Sequence, residues 1–185
     1  VEHKNAVLEW LKKKPDTLII HLSTRNIALV ESVDNPQILC LTGKEGKKVR
    51  DRLHCEHLKK VIAYVLPAAP RKMGSSVPEN IQDKVFELKS CMIEDCFKDA
   101  PLAIACEITQ VLDIKEPYVI GCDGYIKGDK SLTRENQQII KAYRSHALKL
   151  TSLLPTNYED LNVQSIYSFF DEKYAHHKIS KALIG

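Results

Sequence analysis

The sequence predicts one α/β domain spanning residues 1–185, with a mostly parallel sheet of about five to six strands that helices cover on both faces. Short apolar runs, typical of strands buried on both faces, alternate with segments of helical periodicity along the whole chain. The length of 185 residues is that of a single domain, which can bury a large core without disulfides or metals. Hydrophobic residues make up 44% and charged residues 28%, the balance of a folded protein rather than a disordered one.

The first half of the chain alternates helical patterns with three strand-like runs. Apolar residues at helical spacing predict a helix over 6–11, which Pro15 ends. Val49 and Leu58 belong to an apolar stripe that predicts a second helix over 44–60. Short apolar runs, rich in β-branched residues, predict three buried strands: 18–22, 37–41 and 61–66.

The second half begins with a loop over 71–82, which contains glycine, serine and proline. Asp99 and Pro101 predict the start of a helix, with Asp99 as the N-cap and Pro101 in the first turn. The remaining predicted elements are strands over 85–88, 117–122 and 148–153 and helices over 136–145 and 165–174.

The predicted sheet indicates where a ligand would bind. In an open parallel sheet, ligands lie beyond the carboxyl ends of the strands, where loop amides and helix N-termini converge. The polar residues and glycines that follow the apolar runs are therefore the candidate ligand-binding residues: Ser23, Thr24, Arg25, Asn26, Gly43, Gly121, Asp123, Gly124, Tyr125 and Thr156.

Asp123 is the most specific local indication of a ligand-binding site. It follows a predicted strand and lies between Gly121 and Gly124, which leave room for a ligand hydroxyl, amine or metal to approach. The alternative is that Asp123 caps the following turn through its own backbone. If Asp123 faces a ligand, the preceding residue, Cys122, points into the helix layer as a buried, unreactive thiol.

Residues 23–26 combine two hydroxyls, a guanidinium and an amide where a strand meets a helix. This mixture suits a phosphate or a carboxylate, to which Arg25 can donate two parallel hydrogen bonds. The alternative is an ordinary helix cap by Ser23 or Thr24, with Arg25 in solvent. The sequence contains neither a glycine-rich dinucleotide fingerprint nor a phosphate loop ending in Gly-Lys-Ser/Thr.

Composition excludes several classes of partner. The 27 basic and 24 acidic residues are intermixed and give a net charge of +3, which does not suggest nucleic acid. No apolar run approaches the roughly 18 residues of a membrane helix, and no signal-peptide core is present, so we expect a cytoplasmic protein with reduced cysteines. His54 and His57 share a predicted helix face, but two ligands fall short of a structural zinc site, so no metal site is predicted.

Several segments, taken in order, resemble the C-terminal domain of two-domain bacterial aldolase-like proteins. Those proteins carry an N-terminal barrel similar to 4-hydroxy-2-oxovalerate aldolase and the hydroxymethylglutaryl-CoA lyase family. More distantly, the small-residue helix, strand and Gly-x-Asp are similar to Rossmann-like domains of the sialyltransferase and pterin-diphosphokinase-like kind. The segments that carry the resemblance are 10–26, 100–103, 118–125, 150–158 and 165–167.

The resemblance implies a Rossmann-like, three-layer companion domain, with Val1 as a domain boundary in a longer protein. The divalent metal and the catalytic base would belong to the upstream barrel, so this domain would hold no cofactor and perform no aldol cleavage alone. Its partners would be that barrel and a small phosphorylated or nucleotide ligand. Such domains usually open with a strand and a glycine-containing turn, which would here lie before Val1.

Two other functions fit the same residues. In a sugar-nucleotide or phosphoryl transferase, Asp123 would orient a sugar hydroxyl or a metal, and Arg25 would hold phosphate. In a structural module, the domain would dock the barrel or dimerise without a ligand.

Overall fold

A computed structural model of the protein describes residues 3–52, 56–72, 74, 76–93, 97–124 and 130–170. It confirms the α/β class with parallel strands, but the strands form two sheets. Sheet A has four parallel strands in chain order: β1 (Ile19–His21), β2 (Gln37–Cys40), β3 (Val61–Leu66) and β4 (Val85–Glu87). Sheet B has three parallel strands: β5 (Tyr118–Val119), β6 (Thr151–Ser152) and β7 (Asn162–Val163).

The division into two sheets differs from the predicted single sheet of about five to six strands. Within the described residues, β1 pairs only with β2, and sheet B is built from strands of two residues. Pro117 immediately precedes β5 and lacks an N–H, and Pro155 closely follows β6. These prolines limit how far the two predicted strands extend their hydrogen bonding.

The described residues also form four α-helices and four short 3-10 helices. The α-helices are α1 (Lys4–Lys13), α2 (Glu45–Arg50), α3 (Pro101–Val111) and α4 (Lys130–Ser145). The 3-10 helices are Thr24–Val30, Glu56–Lys60, Glu79–Lys84 and Ile166–Phe169. Each described α-helix falls short of the length and hydrophobicity that crossing a bilayer requires.

Sheet A has buried residues on both faces, as its apolar sequence predicts, and all four residues of β2 are buried, whereas Ile62 of β3 and Phe86 of β4 are 54% and 59% exposed. One face packs against Val49 of α2 and Ile27 of the first 3-10 helix. The other packs against Ile104 and Ile108 of α3. Alternate residues of the strands supply the two faces: Leu39, Tyr64 and Leu66 on the first, Ile38, Cys40 and Val65 on the second.

Helix α1 packs against residues from both sheets. Trp10 contributes to a core cluster that includes Ile19 of β1 and Leu153, which follows β6. Its ring also lies 5.8 Å, centroid to centroid, from that of Tyr118 in β5, nearly perpendicular to it. This edge-to-face arrangement is favourable for aromatic pairs, so Trp10 helps hold β1 and β5 on one side of α1.

The order in which the chain builds the two sheets positions the site. Sheet A grows outward from β1 to β4, and the chain then returns through α3, which packs against β2, to begin sheet B at β5. Leu22, immediately after β1, packs against the same core cluster as Val119 and Cys122. The carboxyl ends of β1 and β5 therefore adjoin one cluster.

Two predicted helices differ in the structure, and one strand was not predicted. The helix over 44–60 divides into α2 and the 3-10 helix Glu56–Lys60, with residues 53–55 outside the described part. The final helix is a 3-10 helix that ends at Phe169, and residues from 171 onward lie outside the described part. Strand β7 was not predicted, because Asn162–Val163 offers no apolar run.

The predicted N-cap of α3 is also wrong. Ala100, in an extended conformation and without a capping side chain, occupies that position, and Pro101 begins the helix. The Asp99 carboxylate instead accepts the backbone N–H of Lys72 at 2.5 Å. The Asp99 carbonyl accepts the Thr42 hydroxyl at 2.8 Å, so this residue ties α3 to the loops after β2 and β3.

Candidate functional site

The predicted Asp123 loop forms at the carboxyl end of β5, where Gly121 and Gly124 have φ angles of 73° and 85°. Residues with side chains rarely adopt these left-handed values, so glycine at both positions is a conformational requirement. Tyr125, the last predicted binding residue of this segment, lies outside the described residues. The structure therefore shows a sharp backbone turn at Asp123, which the two flanking glycines make possible.

The loop after β6 fixes the backbone of the Asp123 loop. The Thr156 hydroxyl donates to the Cys122 carbonyl at 2.6 Å. The Asn157 side-chain amide and its backbone N–H donate to the Asp123 carbonyl at 2.7 and 3.3 Å. Predicted binding residues Gly121, Asp123, Gly124 and Thr156 are thus brought together, and Asn157 is an addition that the sequence did not single out.

The Asp123 carboxylate is exposed to solvent. Among the described residues, no side chain or backbone group forms a hydrogen bond or ion pair with it, whereas its own carbonyl is fully engaged by Asn157. On a backbone that Asn157 holds in this way, an exposed carboxylate can accept hydrogen bonds from a ligand hydroxyl or amine.

Cys122 packs against the core cluster that α3 and α4 share, as the alternation with Asp123 predicts. Burial, with a smaller contribution from the Asp123 charge, raises the pKa of the Cys122 thiol to about 11. The thiol is therefore protonated at neutral pH and is a poor nucleophile. Burial also raises the pKa values of Cys40, Cys91 and Cys106, which are free thiols.

The segment 23–26 follows β1 and starts the 3-10 helix Thr24–Val30. The Ser23 hydroxyl caps this helix by accepting the Arg25 backbone N–H at 3.4 Å. Thr24 is buried, whereas Arg25 and Asn26 are exposed. Capping by Ser23 with Arg25 in solvent is the second of the two interpretations that the sequence left open.

Glu45, which the sequence did not single out, engages the donors of this turn. Its carboxylate accepts the Thr24 backbone N–H at 2.8 Å and the Ser23 hydroxyl at 3.4 Å, and it forms an ion pair with Lys48. Burial raises the pKa of Glu45, but the hydrogen bonds from Lys48 and from Thr24 outweigh it, and the net pKa is lowered. Glu45 is therefore a charged, buried acceptor at neutral pH.

Gly43 lies after β2 with a φ angle of 54°, which again favours glycine. It follows Thr42, whose hydroxyl donates to the Asp99 carbonyl. The structure thus places Gly43 at the carboxyl edge of sheet A, where it shapes the backbone between β2 and the Glu45 helix.

The predicted binding residues fall into two groups. The first contains Gly121, Asp123, Gly124 and Thr156, and the second contains Ser23 and Thr24 with the exposed neighbours Arg25 and Asn26. In the described part of the chain, no hydrogen bond or ion pair joins them. They are related through the core, because Leu22 and Cys122, which precede the two loops, pack against one cluster.

A metal-binding cluster or a surface depression elsewhere would be an alternative site. Within the described ranges, no three His, Cys, Asp or Glu side chains converge closely enough to hold a metal ion. A shallow depression lined by Glu31, Glu56, Lys59 and Lys60 lies near the amino end of β3, the edge away from the two loops.

Comparison with known proteins adds no relative. No protein-family model matches the chain, and neither the curated proteins nor the solved structures contain a match to it. The resemblance to the domain of aldolase-like proteins therefore stays a prediction from the sequence motifs.

Proposed function

We propose that this domain binds a small polar ligand in the crevice between the carboxyl ends of β1 and β5. The observation that carries the proposal is that the segments following β1 and β5 adjoin one core cluster, next to the exposed Asp123 carboxylate. In open α/β folds, ligands bind outside the carboxyl ends of the parallel strands. The shared core cluster beneath Leu22 and Cys122 supports a common crevice.

The chemistry of the exposed groups defines what the crevice can bind. Asp123 can accept hydrogen bonds from a ligand hydroxyl or amine, and Gly121 and Gly124 allow the ligand to approach the backbone. Arg25 is exposed and can donate a pair of hydrogen bonds to a ligand carboxylate or phosphate. A small molecule that carries an anionic group, together with a hydroxyl or an amine, would match Arg25 and Asp123.

We further propose that the domain is the companion of an aldolase-like barrel, and that the barrel carries the aldol chemistry. The motifs in 118–125 and 150–158 support this proposal, because the two loops that resemble the aldolase-associated domain are the ones that hold Asp123 in place. The raised pKa values of the four described cysteines argue against a thiolate nucleophile among them.

Thermal unfolding in the presence of nucleotides, sugar nucleotides and acyl-CoA esters tests ligand binding. A ligand at 100 times its Kd stabilises the domain by about 2.7 kcal/mol, which gives a measurable rise in Tm. Asp123→Ala should abolish that rise while leaving the Tm of the free protein nearly unchanged, because the carboxylate is exposed. Asp83→Ala, which removes an exposed carboxylate from the 3-10 helix Glu79–Lys84, is the matched control and should keep the rise.

The other outcomes separate the alternatives. A rise in Tm that Asp123→Ala does not affect would place the ligand elsewhere and contradict the proposal. Turnover of a sugar nucleotide or nucleotide by the wild-type domain would favour the transferase. If no compound in a broad panel raises the Tm, the docking module is the better account.

A further inference from the structure

The turn at the carboxyl end of β1 already holds an anion that belongs to the protein. The Glu45 carboxylate accepts hydrogen bonds from the Thr24 backbone N–H and the Ser23 hydroxyl, and its ion pair with Lys48 adds a positive charge. A backbone N–H, a hydroxyl and an ammonium group are also the donors that bind the oxygens of a phosphate. The Ser23 and Thr24 donors of the motif that suggested a phosphate site therefore already bind a carboxylate of the same chain.

The position of Glu45 makes its carboxylate difficult for another anion to displace. The residue is 7% exposed, and it stands in the first turn of α2. The loop after β3 lies directly against that turn, since a Cβ on the adjacent Gly46 would come within 1.7 Å of the Ser76 carbonyl oxygen. The lowered pKa of Glu45 keeps the carboxylate charged at neutral pH, so a second anion there would meet both a steric barrier and repulsion.

We propose that Glu45 is a specificity-determining residue, whose carboxylate excludes phosphate from the Ser23–Thr24 turn. The crevice then selects ligands that donate hydroxyl or amine hydrogen bonds to Asp123 and whose anionic group, if present, reaches only the exposed Arg25. This assignment of ligand class rests on the proposed function. The exclusion of phosphate does not, because it concerns donors on the β1 side that make no contact with Asp123.

Inorganic phosphate is the probe that tests the exclusion. Glu45→Ala leaves the Thr24 N–H, the Ser23 hydroxyl and Lys48 without their shared acceptor, and we expect a lower Tm in chloride buffer. Phosphate at about 100 times its Kd should then raise the Tm of this variant by roughly 5 °C or more above an equal ionic strength of chloride. The wild-type protein should show only the small general effect of phosphate on protein stability.

The matched control is Glu56→Ala. Glu56 pairs with Lys59 at the same three-residue spacing, but its side chain is 81% exposed and, among the described residues, its carboxylate accepts no hydrogen bond from another segment. This variant should respond to phosphate as the wild type does. A second control, Glu45→Ala combined with Lys48→Ala, should lose most of the response, because the ammonium group is gone.

Three results would overturn the proposal. One is a phosphate response of the wild type as large as that of Glu45→Ala, and another is no extra response in Glu45→Ala. The third is a Glu45→Ala chain that remains unfolded in both phosphate and chloride, together with a folded Glu45→Ser chain that also lacks an extra response. Loss of ligand binding in Asp123→Ala is measured separately, so failure of the proposed function is distinguishable from failure of this exclusion.

Discussion

Asn35 holds the connection between α1 and β1. Its side chain is 2% exposed, and its amide nitrogen lies 2.7 Å from the Lys14 carbonyl and 3.2 Å from those of Pro15 and Thr17. The Lys14 carbonyl also accepts the Thr17 backbone N–H at 3.0 Å, so the Asn35 amide is a second donor to it. A single side-chain amide thus donates to the backbone carbonyls of the turn that leads from α1 to β1.

Asn35→Asp is predicted to destabilise the protein more than Asn35→Ala. The alanine variant removes the donors and should lower the free energy of unfolding by about 1–3 kcal/mol. The aspartate variant keeps the shape but directs a carboxylate at three carbonyl oxygens, which adds repulsion and the cost of a buried charge. Urea unfolding at pH 7 measures both values.

Asn80→Asp is the control for this comparison, since Asn80 is exposed in the 3-10 helix Glu79–Lys84. It should change the free energy of unfolding by less than about 0.5 kcal/mol. An Asn35→Asp variant as stable as the wild type would show that the three carbonyls do not depend on this amide.

At the scale of elements, Glu107 joins α3 to α4 and to the segment that precedes α3. Glu107 is 4% exposed, and its carboxylate accepts the Tyr143 hydroxyl from α4 and the Met92 backbone N–H at 2.5 Å. The Tyr143 hydroxyl also lies 3.3 Å from the Ala103 carbonyl, one turn earlier in α3. The helix pair beneath sheet B therefore has a polar centre within an otherwise apolar cluster.

Tyr143→Phe is predicted to lower the free energy of unfolding by about 1–3 kcal/mol, because a buried carboxylate loses one donor without a change in packing volume. Tyr118→Phe is the matched control. Tyr118 is 42% exposed, and phenylalanine keeps its ring contacts with Trp10 and Phe169. Equal effects of the two substitutions in urea unfolding would contradict this role for Tyr143.

A buried, titratable side chain, His21 of β1, contacts Gln37 of β2. His21 is 3% exposed, and its Nε2 lies 2.9 Å from Oε1 of Gln37. Burial lowers the pKa of His21, and the hydrogen bond to Gln37 offsets this only in part. The folded state therefore favours the neutral imidazole.

The sign of the resulting pH dependence follows from the lowered pKa. Between the folded pKa and the unfolded value of about 6.5, the unfolded chain binds more protons, so stability is full above about pH 6.5 and falls as the pH drops toward the folded pKa. Unfolding free energies measured from pH 7.5 to 5 should decrease in the wild type and decrease less in His21→Gln.

His146→Gln is the control for this measurement, because His146 is exposed at the end of α4. It should retain the wild-type slope between pH 7.5 and 5. If His21→Gln retains that slope as well, the pH dependence arises from other groups.

The elements differ in how far the sequence predicts them. The runs that became β2 and β3 were predicted closely, because their apolar pattern is unbroken and most of their residues are buried. Strands β5 and β6 are shorter than predicted, because Pro117 and Pro155 lack the backbone N–H that a longer ladder would need. The cap of α3 was assigned to Asp99 from local preference, whereas the tertiary contact with Lys72 determines where that side chain lies.

In the candidate site, too, features set by neighbouring residues differ from features set by tertiary contacts. The position of Asp123 at a strand end between two glycines was predictable, because it depends only on neighbouring residues. Glu45 and Asn157 were not, because their partners lie 21 and 34 residues away. A local pattern identifies donors that could bind phosphate, but only the fold shows that a carboxylate from another segment already engages them.

At the scale of the whole molecule, α1 packs against residues from both parallel sheets, and the segments following β1 and β5 pack against one core cluster. The ends of β1 and β5 therefore adjoin the same cluster, although no strand pairing joins them among the described residues. We expect these two ends to form one ligand crevice.

The most direct test is a ¹⁵N-labelled NMR titration with the compound that raises the Tm most. We predict that amide shifts concentrate in residues 22–26, 121–124 and 156–157, on both sides of the crevice. Shifts confined to the depression around Glu31, Lys59 and Lys60, or confined to only one of the two loops, would contradict the claim.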